Sequence, residues 1–309
     1  MGRTMSANNS YHFPVLFLTP CFEEPELDLG HFALSKRKWQ TSTFDLATLA
    51  TRHKLHLPYQ AMDIFLVHCN LEVRVSAVAT VEEAQRKFRA LQIALYRAGI
   101  SPFLSPFITT HSINAYSGIN SRDSGLSLDK LPEEMRTGIK SGEDLVEVWP
   151  LELSFDCRTI NDKRDVSDNV FYDAAKFAEE WLRVAEKNSP LHALESAMTD
   201  APKLSSRAQS ILHIWSALES IFPRVTTEAS FRVALYMAQL NSNGRDRRDY
   251  HKRVKRAYDL RSKIAHGAKS DPGLSDWLEA WSLLTDSVSA IVRRGGLPSE
   301  DALLEELLA

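Results

Sequence analysis

Two textures follow one another along the chain: short runs with strand character in the first half, and long stretches with helical spacing in the second. Residues 13–19 (FPVLFLT), 63–68 (DIFLVH) and 71–79 (LEVRVSAVA) are rich in branched and aromatic side chains, and each predicts a strand. In the last of them Leu71, Val73, Val75 and Ala77 alternate with Glu72, Arg74 and Ser76, the pattern of a strand buried on one face. Cys69-Asn70 predicts a tight hairpin between the second and third runs, without the usual glycine. Thr80 then caps a helix with Glu82 and Glu83 in its first turn. Its apolar face is Ala84, Phe88, Leu91, Leu95 and Ala98, and Gly99 ends it. Residues 103–109 and 146–155 predict two further strands. Between them lies a long polar loop, 110–145, containing Gly118, Gly125, Gly138 and Gly142.

Near residue 160 the pattern changes. The segment 158–169 (RTINDKRDVSDN) is charged and turn-like, and beyond it only helical spacing remains. Helices are expected over 168–187, 190–199, 204–222, 228–241, 247–266, 274–294 and 299–308. Ser205 or Ser206, Asp271 and Ser299 are the start signals, and Gly244, Gly267 and Gly295-Gly296 the stops. The expected fold class is therefore an α+β N-terminal domain, 1–160, followed by an all-α helical bundle, 161–309.

Composition narrows the chemistry. Three cysteines, Cys21, Cys69 and Cys157, are too few and too scattered for a disulfide framework or a paired-cysteine metal site, and they fit a reducing compartment. The histidines form no metal-binding pattern on a helix; His53 and His56 lie three apart without a completing ligand. No run reaches the ~18 apolar residues that would span a bilayer. The apolar run near the N-terminus reads as a first strand and not as a signal peptide. A cytoplasmic protein with no metal, no cofactor and no membrane partner is expected.

The net charge is only −3, but it is unevenly spread. Between Arg245 and Lys269 ten Lys/Arg face three Asp, so this segment carries +7 and the other 284 residues carry −10. A basic stripe of this kind, with Arg253, Lys255, Arg256, Lys263 and Lys269 on it, suits a phosphate-bearing partner, although most charge runs are simply solvated faces.

The same segment holds an anomaly. On the helix 247–266 most of the apolar face comes from Tyr250, Val254, Ala257, Tyr258, Leu260, Ile264 and Ala265. At 100° per residue Arg261 falls about 20° from Tyr250, inside that stripe. A guanidinium there needs a structural ion pair, a subunit interface or a solvent-filled groove. Glu219 lies at the edge of the apolar stripe of helix 204–222, where the bland reading is a glutamate on the rim facing water. His266 follows at the helix end. An ideal helix would turn it about 140° from Arg261, but a left-handed Gly267 would free the last turn from ideal geometry. Trp215, Trp277 and Trp281 have helical spacing and read most simply as core.

Arg261-Ser262-Lys263-Ile264-Ala265-His266 resembles the R-x4–6-H signature of HEPN ribonucleases. The wider run 258–267 (YDLRSKIAHG), with 214–222 (IWSALESIF) upstream, is similar to the ApeA-like HEPN branch. The resemblance covers about residues 200–295 and leaves 1–160 untouched. It implies an RNA endonuclease that needs no metal and acts as a defence or toxin effector, as a homodimer with a composite cleft. Arg261 and His266 would be its catalytic pair, with Glu219, Ser262 and Tyr258 in support. In such an enzyme His266 would move a proton as the ribose 2′-OH attacks phosphorus, and Arg261 would stabilise the phosphoryl oxygens. The products would be a 2′,3′-cyclic phosphate and a 5′-OH. Relatives silenced by AMP addition often carry a Tyr two residues after the motif His; here Ala268 stands there. The alternative is a catalytically silent HEPN interaction or dimerisation module, or a scaffold subunit of a defence complex. In either case residues 1–160 would serve sensing, regulation or the binding of a regulatory protein partner.

Overall fold

The alternating apolar residues of the first half build an antiparallel sheet. The computed structural model describes residues 9–52, 64–65, 67–123, 128–131, 133–140, 148–152, 157–186, 190–225, 227–242 and 246–308. Its strands are β1 (Asn9–Leu16), β2 (Thr19–Pro20), β3 (Glu26–Leu29), β4 (Phe32–Lys36), β5 (Cys69–Val78), β6 (Phe107–Thr109), β7 (Val148–Pro150) and β8 (Asp165–Val166). Six of them form one sheet in the order β3-β4-β5-β1-β6-β7, while β2 and β8 pair in parallel as a separate ladder. Phe13 of β1 and Leu34 of β4 both sit opposite Val73 of β5, which gives the sheet a buried row across three strands. Phe13 stacks on Phe88 of helix α2 (Val81–Arg97), ring centroids 4.2 Å apart. That helix starts as expected, with Thr80 accepting from the Glu83 N–H while Glu83 accepts from the Ala79 N–H.

Three features differ from the sequence reading. The tight hairpin at Cys69-Asn70 does not exist: Ile64, Phe65, Val67 and His68 are helical, and the strand begins at Cys69. The Asn70 carbonyl is taken by the Arg37 N–H, which holds this residue extended. A hairpin that the reading passed over lies earlier, between β3 and β4. Gly30 at φ 62° opens its two-residue turn, with Leu29 opposite Phe32. The polar stretch after β6 is not a bare loop either. It carries two short α-helices, Ile119–Asp123 and Glu133–Arg136, besides 3-10 turns. Buried Arg122 ties it together by donating to the carbonyls of Ile139, Ser117 and Ala115. His53, His56, Gly125 and Gly142 lie outside the described residues.

The second half is helical: α5 (Asp168–Ala185), α6 (Leu191–Asp200), α7 (Arg207–Ser220), α8 (Ala229–Asn241), α9 (Arg247–Ala265), α10 (Leu274–Arg293) and α11 (Glu300–Leu308), counting α1 as Thr43–Arg52 and the two short helices as α3 and α4. Ser206 caps α7 by accepting from the Gln209 N–H, and Ser299 does the same for Ala302 ahead of α11. Asp271 does not cap α10; Gly273 takes that position, and Asp276 accepts its N–H. Gly244 lies outside the described residues. Trp181, Trp215 and Trp277 are fully buried, and Trp277 stacks on Trp281 with centroids 5.4 Å apart. The Trp277 indole N–H is satisfied by Ser210 Oγ at 2.6 Å, which itself donates to the Ala201 carbonyl.

The chain divides into two compact units: Met1–Phe88 with Ile100–Cys157 and Asn161–Ala175, and Arg89–Gly99 with Arg158–Ile160 and Lys176–Ala309. Among the described residues no helix is long and apolar enough to cross a membrane.

In the first unit Glu72 points away from the apolar row and is 1% exposed. Burial raises a carboxyl pKa. Here the His12 ring, the Ile113 N–H and the Arg37 guanidinium together outweigh it and hold Glu72 below its ordinary value. A carboxyl with a depressed folded pKa stabilises fully above its unfolded value of about 4.3, and loses that contribution as pH falls through the folded one. Glu72→Gln is therefore expected to lower stability by about 2–4 kcal/mol at neutral pH. In urea denaturation across pH the deficit should shrink as pH drops below 4; a deficit independent of pH would contradict this role.

Candidate functional site

Helix α9 has little apolar surface of its own. Only Val254, Ala257 and Ile264 are buried on it, and polar tethers complete its docking within the helical unit. Arg253 lies between two carboxylates of α10, with Nε 2.6 Å from Glu279 and Nη1 3.1 Å from Asp286, and it also donates to Ser282. Tyr250 donates to the same Asp286 at 3.3 Å. Lys269, just past the helix, pairs with Asp276 at 2.8 Å.

Arg261 meets α7. Its Nη2 donates to Glu219 Oε2 at 2.8 Å, and the two side chains are 27% and 28% exposed. Of the partners a guanidinium in this stripe requires, the structure supplies an intramolecular carboxylate, so Glu219 is not a free rim residue. The guanidinium lies 5.5 Å from the Tyr258 ring centroid, and Trp215 meets that ring edge-on at 5.3 Å. Burial raises the Tyr258 phenol above its ordinary pKa; the Glu219 charge adds to this and Arg261 opposes it. Arg261 Nε and Glu219 Oε1 are shut off from solvent without a partner among the described residues. Other buried polar atoms among the described residues are in the same position, Tyr116 Oη and Trp215 Nε1 among them, so this feature alone does not distinguish the cluster.

His266 sits where the helix ends. Gly267 takes φ 73°, its N–H bonds to the Ile264 carbonyl, and the Ala268 N–H reaches back to Lys263, which is a Schellman termination. The Ser262 carbonyl accepts the His266 N–H. The imidazole is exposed and forms no hydrogen bond among the described residues. The structure thus joins Arg261, Glu219 and Tyr258 in one cluster, and puts His266 on the surface at the end of the same helix, with no bond linking it to them.

The basic stripe divides in two. Arg253 and Lys269 are committed to carboxylates. Lys255, Arg256 and Lys263 are exposed and make no ion pair among the described residues. A hollow of about 490 Å³ on the outer side of α9 is lined by Asp249, Lys252, Lys255, Arg256 and Asp259, and includes neither Arg261 nor His266. A second, of about 370 Å³, lies between α9 and α10 and is lined by Arg253, Arg256, Leu260 and Glu279 among others. Among the described residues no three His, Cys, Asp or Glu side chains gather as a metal site. Their place in the basic run predicts phosphate contacts for Arg253 and Lys269, but both are held by carboxylates on or beside α10 that no local spacing connects to them.

No family model, no curated protein and no solved structure matches this chain.

A partly exposed ion pair contributes modestly. A double-mutant cycle on Arg261→Ala and Glu219→Ala in urea denaturation should return a coupling of about 1 kcal/mol; a coupling near zero would mean the pair is not held in solution. Gly267→Ala should cost about 1 kcal/mol through its left-handed backbone alone, because nothing lies within 4 Å of the added Cβ. An unchanged urea midpoint would show that the helix does not end this way.

Proposed function

We propose that the chain is an RNA endonuclease of the HEPN type, requiring no metal, with Arg261 and His266 as its catalytic pair. The observation that carries the reading is the end of α9: a guanidinium fixed by Glu219, and five residues on an unbonded, exposed imidazole on a glycine-terminated turn. Glu219 engages Nη2 and leaves Nη1 without a partner among the described residues, so one edge of the guanidinium remains for a phosphoryl oxygen. His266 takes the proton of the ribose 2′-OH or supplies one to the 5′-oxygen, and solvent water carries out the other transfer. The 2′-O–P bond forms, the P–O5′ bond breaks, and a 2′,3′-cyclic phosphate and a 5′-OH result. The attacking hydroxyl belongs to RNA alone, so DNA is not cut.

A second copy of the chain, packed through α9, would bring the separated groups together in a composite cleft, with Ser262 and Tyr258 flanking it. Lys255, Arg256 and Lys263 would then be the cations that meet the RNA backbone, and Arg253 and Lys269 would hold the helix in place. The competing reading, a silent dimerisation module or scaffold, draws on the same ion pair, since Glu219 already balances the Arg261 charge.

The test is incubation of the purified protein with total RNA and defined tRNAs in EDTA. Cleavage should persist in EDTA, leave cyclic phosphate ends, and fall at least a hundredfold in His266→Ala and Arg261→Ala proteins that keep the wild-type circular dichroism and oligomeric state. Cleavage unchanged by His266→Ala would remove this assignment, and no cleavage by any of the proteins would favour the silent module.

A further inference from the structure

The first unit carries a cluster of cations that the ribonuclease reading leaves unused. Lys36 ends β4, and Arg37 and Lys38 follow it directly; with Thr19, Pro20 and Asn70 they line an open cleft of about 440 Å³. Three adjacent positive side chains at one strand end repel one another, and among the described residues only Arg37 meets a carboxylate. Arg37 Nε lies 3.2 Å from both Glu72 Oε1 and Ser112 Oγ, and Nη1 donates to the Lys36 carbonyl at 3.0 Å. The Nη2 edge makes no bond among the described residues. Glu72 is itself held from the other side by His12 and the Ile113 N–H, so the guanidinium is anchored from beneath by a buried, fully engaged carboxylate.

Lys36 is placed by contacts that leave its charge unbalanced: it donates to the Glu23 carbonyl at 2.9 Å and lies 4.9 Å from the Phe22 ring centroid. Lys38 is exposed, and its carbonyl accepts from Asn114. Neither lysine forms an ion pair among the described residues. A pre-oriented guanidinium edge between two uncompensated ammonium groups, with a threonine hydroxyl and an asparagine amide on the rim, is a recognition set for a tetrahedral oxyanion. The volume falls within the range of small-molecule sites.

We propose that this cleft binds a phosphate-bearing ligand of nucleotide size, either a free nucleotide or the 5′-phosphate of an RNA end, with Arg37 Nη2 as the guanidinium contact and Lys36 and Lys38 flanking it. The site stands independently of cleavage at Arg261 and His266, which its variants leave untouched.

Calorimetric titration of the whole protein with pyrophosphate, sulfate, AMP, adenosine, and a DNA tetranucleotide bearing either a 5′-phosphate or a 5′-hydroxyl tests it. Pyrophosphate and AMP should bind saturably and adenosine should not. Lys36→Ala with Lys38→Ala should weaken binding at least tenfold. Arg37→Lys, which keeps the charge but loses the planar group that Glu72 and the Lys36 carbonyl orient, should weaken it while the protein stays folded. Preference for the 5′-phosphorylated tetranucleotide over AMP would support a strand end as the ligand, and the reverse order a free nucleotide. Unchanged affinity in the lysine double variant, binding of sulfate as strong as that of AMP, or no binding of any probe at millimolar concentration would each overturn the proposal.

Discussion

A guanidinium in the apolar stripe of a helix has to be matched by a carboxylate, and the arrangement around α9 follows from that constraint. Arg261 takes Glu219 of α7, while Arg253 takes Glu279 and Asp286 of α10. These contacts are partly exposed, so each contributes little to stability. Burial of Trp181, Trp215 and Trp277, at about 1.5–3 kcal/mol or more for each large side chain, supplies far more. What the pairs provide is direction. They fix the rotation of α9, and that rotation decides which of its cations are tied down and which of Lys255, Arg256, Lys263 and His266 face solvent.

The sheet of the first unit answers the same constraint differently. Its polar face carries one nearly inaccessible carboxylate, Glu72, and the charges around it converge on that point: His12 from β1, Arg37 beyond β4, and the Ile113 N–H from the stretch after β6. Arg122 organises the same stretch through backbone carbonyls instead of acids. A segment read from sequence as a loop is thus held by two buried ionic groups. One of these, Glu72, also orients the guanidinium that faces the cleft beside Lys36 and Lys38.

The helical half was legible because helix ends and periodicity are local. All seven expected helices are present within a few residues, Ser206 and Ser299 cap as expected, and Gly267 and Gly295 end their helices with positive φ. The first half was less legible because its pairing is not local. The run at 63–68 has strand composition, yet its described residues are helical, and the strand that follows takes its place from β1 and β4. The β3–β4 hairpin was missed although Leu29-Gly30-His31-Phe32 carries its turn signal, since one glycine is a weak cue. At the candidate site, helical spacing raised Arg261 and put Glu219 at the edge of its own stripe, while their pairing was suggested by the resemblance. The partners of Arg253 and Lys269 lie on or beside α10, and no spacing rule connects them. The Lys36-Arg37-Lys38 run was visible in the sequence, but the cleft around it depends on Thr19 and Asn70, which only folding brings near.

The chemistry proposed at α9 uses the ribose 2′-hydroxyl under control of His266 and Arg261. The most direct measurement maps one cleavage site on a defined RNA, then repeats the reaction on the same RNA with a single 2′-deoxy substitution at the nucleotide 5′ to that bond. Loss of that cut alone, with neighbouring cuts retained, is the predicted result. Cleavage continuing at the deoxy position would show that another nucleophile attacks phosphorus, and the account would fail.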